Sequence, residues 1–454
     1  MPENNKFLDE RTRLARGILA KLGELGVDYA VLRNSEELFG TLGHDIDIGI
    51  KDLKSFESGL AKPGEEFSFV VAKTQKRGNY SCYFIWQSPS CCFLRVDTLT
   101  GLDYRGITMV DPGKFSQGSS QEQGINIASP VLQILGILLK EICYCRKLEN
   151  KHIERVIRIF KTIGRERFLS EGEIFIGRKI NCILGNIIED PGFQDSAGKD
   201  LSEARSKILR HCFWQNPLGS TISYLGWLKD QIQAFVKPPG LFITLLGPDG
   251  SGKSTLCKKI EENLKGQLFN RVRYYHGHPE ILPRLGVIKA KLLNELLPES
   301  SASPASRLQE KGNPHHPAKG CLYVLYYTLD YFLARIPFRF HRARNDLILF
   351  DRYFYDYTMQ PLWGKTPRWF IKLASLLVSK PDLFVFLMAD PEEIHKRKPE
   401  LTTDEIASQQ AQMKSLMIKL KPFVEIDTTN DPEKAVSLIT NSLVEKYIQR
   451  GFGL

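Results

Sequence analysis

Residues Leu241–Thr255 read LFITLLGPDGSGKST, and the reading of this stretch decides the fold of the C-terminal half. It contains Gly247-Pro248-Asp249-Gly250-Ser251-Gly252-Lys253-Ser254, a complete G-x-x-x-x-G-K-[ST] phosphate-binding pattern. Ahead of it, Leu241–Leu246 is a short apolar run, as expected of a buried parallel strand. Behind it, Thr255–Leu264 (TLCKKIEENL) has the spacing of an amphipathic helix. Strand, glycine loop and helix are what polyphosphate binding needs. Glycines let backbone N–H groups converge on phosphate oxygens with no Cβ in the way. A helix N-terminus adds partial positive charge. Gly247, Asp249, Gly250, Ser251, Gly252, Lys253, Ser254 and Thr255 are therefore the expected ATP-binding residues. Lys253 is expected to reach the β- and γ-phosphates, and the Ser254 hydroxyl to ligate Mg²⁺.

Downstream, Arg273–His276 reads as a strand and Pro298–Pro314 as a Ser/Pro-rich loop. Gly320–Arg342 reads as a long aromatic helix interrupted at Pro337. The strand Leu347–Phe350 then runs into Asp351-Arg352-Tyr353. An acid at the end of an apolar strand sits at the edge where open α/β sheets bind ligands. Asp351 is thus placed to steer Mg²⁺ through water or to take an acceptor's proton, and Arg352 to clamp an anionic group. Phe384–Met388 and Phe423–Asp427 read as further strands. Between them, His395-Lys396-Arg397-Lys398 is a basic cluster able to fold over phosphates.

Upstream, Lys237-Pro238-Pro239-Gly240 is the clearest boundary in the chain. Before it, residues 126–237 carry helical patterns, including an apolar helix over Ser129–Tyr144 and a basic-faced one over Lys151–Ile163. Nearer the start, Leu8–Leu22 reads as a helix and Tyr29–Leu32 as a strand. In the strand Asp45-Ile46-Asp47-Ile48-Gly49-Ile50, the two carboxylates lie two residues apart and so share a face. Like charges side by side repel, and a hard divalent cation such as Mg²⁺ would relieve them. Asp97, in the strand-like run Phe93–Asp97, offers a third acid. Three such acids suit a two-metal transfer site.

The chain has 454 residues, 42% of them hydrophobic and 25% charged, which predicts a soluble protein of two or three domains. Its net charge of +10 suits anionic ligands without choosing among them. No arginine-rich tail or RNA-binding aromatic signature points to nucleic acid. There is no apolar run of ~18 residues to span a membrane, and MPENNKFLDERTR is not a secretory signal. Nine cysteines without a C-x-x-C read as reduced thiols in a cytoplasmic protein. His315-His316, between prolines, reads as a solvated loop.

Two resemblances follow from these residues. GPDGSGKST, FDRYFYD and Arg397-Lys398-Pro399-Glu400 occur in the order found in thymidylate kinase-like P-loop kinases, and the likeness covers residues 238–454. It implies an ATP- and Mg²⁺-dependent kinase with catalytic roles for Lys253, Asp351, Arg352 and the lid residue Arg397. The Arg33-Asn34-Ser35 turn, nine intervening residues, Asp45/Asp47 and Asp97 resemble the polymerase β-like nucleotidyltransferases, with Asn34 where that family has glycine. That likeness implies an α+β catalytic domain over 1–125, with Asp45, Asp47 and Asp97 as metal ligands, and a helical extension over 126–237. The fusion is similar to bacterial surface-polysaccharide biosynthesis proteins. The expectation is an α/β protein: a C-terminal three-layer P-loop domain with a parallel sheet, joined to a nucleotidyltransferase-like domain, active or degenerate. Its phosphoryl acceptor would be a nucleotide, a sugar or a glycan- or lipid-linked molecule, and a homodimer is left open. Two rivals remain: a nucleotidyltransferase whose phosphate loop only senses nucleotide, and a non-enzymatic nucleotide-gated binding module.

Overall fold

The computed structural model describes residues 2–33, 35–40, 42–43, 45–61, 69–87, 92–145, 148–193, 201–283, 317–355, 366–420, 422–429 and 431–454. The chain is mixed α/β and divides into two compact units. Unit 1 is Met1–Val236 together with Tyr447–Leu454, and unit 2 is Lys237–Lys446. Asn34, Pro298–Pro314 and His315-His316 lie outside the described residues. The described cysteines are free thiols.

Unit 1 starts with α1 (Pro2–Glu24), then β1 (Tyr29–Arg33), α2 (Ser35–Leu38), β2 (Asp45–Ile50) and α3 (Leu53–Leu60). The strands β3 (Val70–Arg77), β4 (Tyr80–Gln87) and β5 (Cys92–Leu99) form a meander, followed by β6 (Leu102–Tyr104), β7 (Ile107–Val110), β8 (Ser120–Glu122) and β9 (Ile125–Ile127). Seven of these make one mixed sheet in the order β3-β4-β5-β2-β1-β9-β8. Alternation along β2 sets its two faces. Ile46 and Ile48 enter a core with Leu14, Leu19 and Phe56 from α1 and α3, so Asp45 and Asp47 point to the other side. β2 runs parallel to β5 with Asp47 opposite Asp97 and Asp45 opposite Arg95. A bulge between Val31 and Arg33 puts Arg33 opposite Asp47.

The sheet's second face adjoins a core that holds Ala30 and Leu32 together with Leu132, Leu135 and Leu139 of α4 (Pro130–Lys140). Ser129 caps α4 by accepting from the Leu132 N–H. The predicted helix over Ser129–Tyr144 is thus α4 continued by a π-helical turn, Glu141–Cys145. The basic-faced helix is longer than expected: α5 spans Asn150–Ile176, broken at Gly164, whose φ is 76°. α6 (Arg178–Glu189), α7 (Ser202–Gln215) and α8 (Pro217–Val236) complete the helical part.

Unit 2 has β10 (Phe242–Leu246), α9 (Lys253–Leu264), β11 (Val272–His276), α10 (Pro317–Leu333), α11 (Arg335–Ala343), β12 (Leu347–Asp351), α12 (Arg368–Ser375), β13 (Leu383–Met388), α13 (Pro391–Arg397), α14 (Thr403–Leu420), β14 (Phe423–Asp427) and α15 (Pro432–Tyr447). Its sheet is parallel throughout, in the order β11-β12-β10-β13-β14. β10, β12 and most of β13 are fully buried, which explains their unbroken apolar runs. One face meets an aromatic core in which Phe242, Phe350, Tyr353, Tyr331 and Phe338 touch one another in edge-on and tilted pairs. α9 packs against β10, β11 and β12. The long aromatic helix breaks at Ala334, between α10 and α11, and not at Pro337. Pro337 lies in the first turn of α11, where a missing N–H costs nothing.

Candidate functional site

The loop joining β10 to α9 is shaped by its glycines. Gly250 and Gly252 have φ values of 90° and 84°, a region that disfavours any side chain. A Cβ on Gly247 would lie 2.7 Å from the Leu387 carbonyl oxygen and 2.8 Å from Ser251 Oγ. Lys253 opens α9 at the loop's centre and is buried. Its Nζ donates to the carbonyl oxygens of Gly247 and Pro248 at 2.8 and 2.7 Å and lies 3.5 Å from Asp249 Oδ1.

Asp249 gathers the loop's cations. Arg352 donates to its Oδ1, and Lys398 Nζ lies 3.4 Å from its Oδ2. Burial alone would raise this carboxyl, but Arg352, Lys253 and Lys398 outweigh it and bring the pKa down to about 2. Arg352 is held with φ at 68°, a left-handed conformation rare for a side-chain-bearing residue.

Across from the loop, Asp351 ends β12 and is buried. Its Oδ2 accepts from the Ser254 hydroxyl at 2.8 Å and from the Tyr274 hydroxyl at 3.1 Å, and His276 Nδ1 lies 3.5 Å away. Burial, then the neighbouring Asp351, push the Tyr274 phenol well up. Asp351 Oδ1 is buried and accepts no hydrogen bond from the described residues. These residues fit a divalent cation. A hydroxyl and a strand-end carboxylate face each other, with an oxygen lone pair left over, as Mg²⁺ requires of a site that keeps its waters.

The loop and the strand end line one cleft of about 560 Å³. Asp249, Gly250, Gly252, Lys253, Ser254, Thr255, Asp351, Arg352 and Arg397 all border it; Gly247 and Ser251 support it from within the loop. Arg397, at the end of α13, donates to the Thr429 carbonyl oxygen at 2.9 Å. Thr428 and Thr429 follow β14 and border the same cleft, and Thr428 Oγ1 donates to the Ser251 carbonyl oxygen at 2.9 Å. Asp356, the last residue of FDRYFYD, lies outside the described residues.

In unit 1, Asp45, Asp47 and Asp97 do share one face of the sheet, where a buried arginine, Arg33, and a half-buried one, Arg95, meet two of them. Arg33 donates to Asp47 Oδ1 at 2.7 Å. Arg95 engages both oxygens of Asp97 at 2.9 and 3.2 Å, and Tyr80 donates to Asp97 Oδ1 at 3.1 Å. Burial, then Asp47 and Asp97, raise the pKa of Asp45. Among the described residues, no group of three or more His, Cys, Asp or Glu side chains is arranged to hold a metal ion. As placed, Asp47 and Asp97 meet arginine, and these residues do not fit a metal ion.

His276 borders the unit 2 cleft and Tyr274 supports Asp351 beside it, and neither was singled out as a site residue in the sequence. Part of the signal was present: Tyr274 and His276 alternate along a run read as a strand, but its pairing with the strand of Asp351 is shown only by the structure.

No family model and no curated protein matches this chain. Among solved structures, it is similar to the thymidylate kinase from Ehrlichia chaffeensis at 16% identity, over 45% of this chain and 98% of that one, with a TM-score of 0.28. No helix of the described residues is long and apolar enough to cross a membrane.

Proposed function

We propose that unit 2 is an ATP- and Mg²⁺-dependent kinase, moving the γ-phosphoryl group to a nucleotide, sugar or glycolipid-type acceptor docked beside Asp351. The observation that carries this is the Ser254–Asp351 contact of 2.8 Å, which brings the phosphate loop and the strand-end acid into one cleft. Phosphoryl transfer asks the protein mainly for positioning and charge neutralisation. The loop amides and Lys253 receive the β- and γ-phosphates. Ser254 and Asp351 would hold Mg²⁺, and the ion would supply charge neutralisation at the phosphates. Arg352, Arg397 and Lys398 add positive charge around the transferring group. With nucleotide present, Lys253 exchanges two carbonyl partners for phosphate oxygens.

The test is transfer from γ-labelled ATP into a fractionated metabolite extract. Lys253→Ala is expected to lower turnover by about 10²–10³, the scale of one deleted electrostatic donor. Unchanged turnover in that variant would falsify the reading.

On the same reading the kinase expected over 238–454 cedes its end, Tyr447–Leu454, to unit 1, while 1–125 is a nucleotidyltransferase-like domain and 126–237 its helical extension. Support for the N-terminal part is the shared face of Asp45, Asp47 and Asp97. The pairing of Asp47 with Arg33 and of Asp97 with Arg95 favours a degenerate site over an active one. Asp45→Asn and Lys253→Ala, assayed separately with α- and γ-labelled ATP, tell the two units' activities apart.

A further inference from the structure

The helical layer over one face of the unit 2 sheet leaves its outer side apolar. In α10, Leu322, Leu325, Leu329 and Phe332 are exposed and follow one stripe of the helix. The opposite side of α10 enters the aromatic core through Val324 and Tyr331. In α11, Ile336 and Phe340 are exposed one turn apart, opposite the buried Phe338. Along α12 and the turn after it, Trp369, Leu373 and Leu376 are exposed, while Ile371, Ala374 and Val378 enter the same core as α10. Helices that bury one side in a shared core present their other sides together. α10 packs against α12, and Arg335 ties their outer sides. Its guanidinium lies 5.2 Å from the centroid of the Phe332 ring and donates to the Leu376 carbonyl oxygen at 3.4 Å. On the order of 1,000 Å² of apolar side chain is left in water here, against roughly 300–600 Å² for the largest patch of a typical monomer.

The charge on this layer has one sign. Residues 317–344 and 366–380 contain a single acid, Asp330, which is buried and accepts from the Glu280 and Leu282 N–H groups. Arg335, Arg368, Lys372 and Lys380 are exposed, and among the described residues no carboxylate pairs with them. Arg368 and Lys372, one turn apart, flank Trp369 and Leu373. Leucine, tryptophan and phenylalanine bordered by cations suit the boundary of an anionic bilayer. Its headgroups meet the cations and its acyl chains take the apolar tips. A second copy fits poorly. An isologous contact would set these cations against their own counterparts with no acid between them.

We infer that the outer side of α10, α11 and α12 docks on the surface of an anionic lipid bilayer. The helices lie in the plane of the boundary. Leu322, Ile336 and Trp369, exposed by 67%, 67% and 68%, reach toward the acyl chains, and Arg368 and Lys372 meet the phosphates. None of these residues borders the phosphate-loop cleft, so the docking stands apart from the kinase reading.

The full chain is sedimented with vesicles of phosphatidylcholine alone, and with vesicles of phosphatidylcholine and phosphatidylglycerol in equal parts. Retention on the anionic vesicles is expected, falling as salt rises. With those vesicles present, peptides from 317–344 and 366–380 should exchange their amide hydrogens more slowly, and those of α9 at an unchanged rate. Arg368→Gln, Lys372→Gln and Lys380→Gln are each expected to weaken retention about fivefold, about 10² together. Leu322→Gln, Ile336→Gln and Trp369→Gln combined should abolish it. All six positions are exposed, and unchanged exchange in β10 and β12 without vesicles checks that the variants fold. Native protein that ignores the anionic vesicles overturns the inference. So does slowed exchange confined to other peptides, or retention that neither set of substitutions weakens. A native dimer that the apolar substitutions dissociate would seat a second copy on this face and overturn it equally.

Discussion

Arg352 combines a chemical and a conformational role that two substitutions can separate. Its φ of 68° costs an L-residue roughly 1–2 kcal/mol. Its pair with Asp249 is about one-third exposed on both sides, so that pair is worth only about 0.5–1 kcal/mol. Arg352→Ala loses the pair and keeps the strain. Arg352→Gly loses the pair and sheds the strain, against a greater unfolded-state entropy of roughly 0.5–1 kcal/mol. The difference leaves the glycine variant more stable than the alanine variant by about 0.8 kcal/mol. Hydrogen exchange of peptides from β10 to β12 reads unit 2 by itself. There the glycine variant is expected to exchange about three to four times more slowly than the alanine variant. Phosphoryl transfer should fall in both alike, by about 10²–10³, because both lack the guanidinium. Equal exchange in the two variants would refute the strain. Activity retained by either would refute the role of the cation.

Three further outcomes are expected. Gly247→Ala forces a Cβ to within 2.7 Å of the Leu387 carbonyl oxygen, and should weaken binding of a fluorescent ATP analogue about tenfold or more; undiminished affinity would show that the loop need not hold this form. Asp249 has a folded pKa of about 2 against an ordinary 3.8, so its contribution to stability is full above about pH 4 and is lost as pH falls toward 2. The gap in urea stability between the native chain and Asp249→Asn, followed on unit 2 peptides, should close between pH 5 and pH 2; a constant gap would contradict the linkage. Asp45 behaves oppositely: its raised pKa means that ionisation costs the folded state stability as pH rises above 3.8. Asp45→Asn should therefore slow exchange in β2 and β5 at pH 7, and faster exchange would count against the carboxylate repulsion.

Much of unit 2 was legible because its elements signal locally. Buried parallel strands are unbroken apolar runs, and Leu347–Phe350 or Phe384–Met388 could be read without knowing their neighbours. The phosphate loop is contiguous, so its motif carries its own geometry. Unit 1 was less legible. The β3–β4 hairpin mixes Lys73, Gln75 and Lys76 with apolar residues, and its bulge spoils a strict alternation. Arg33 and Arg95 as partners of the aspartates depend on strand order and register, which no local pattern encodes. The cluster on Asp249 was hidden for the same reason. Its cations Arg352 and Lys398 lie 103 and 149 residues away in sequence.

The backbone of Gly453 and Leu454 has a bearing on how this protein is handled. Ala72 bridges to Gly453, and the Leu454 N–H donates to the Val71 carbonyl oxygen at 3.2 Å, so this segment shields β3 at the outer margin of the seven-stranded sheet. An unshielded strand recruits other chains. Trimming the residues after Tyr447 would open that margin and invite self-association during purification, whereas a tag placed ahead of α1 leaves the seal intact.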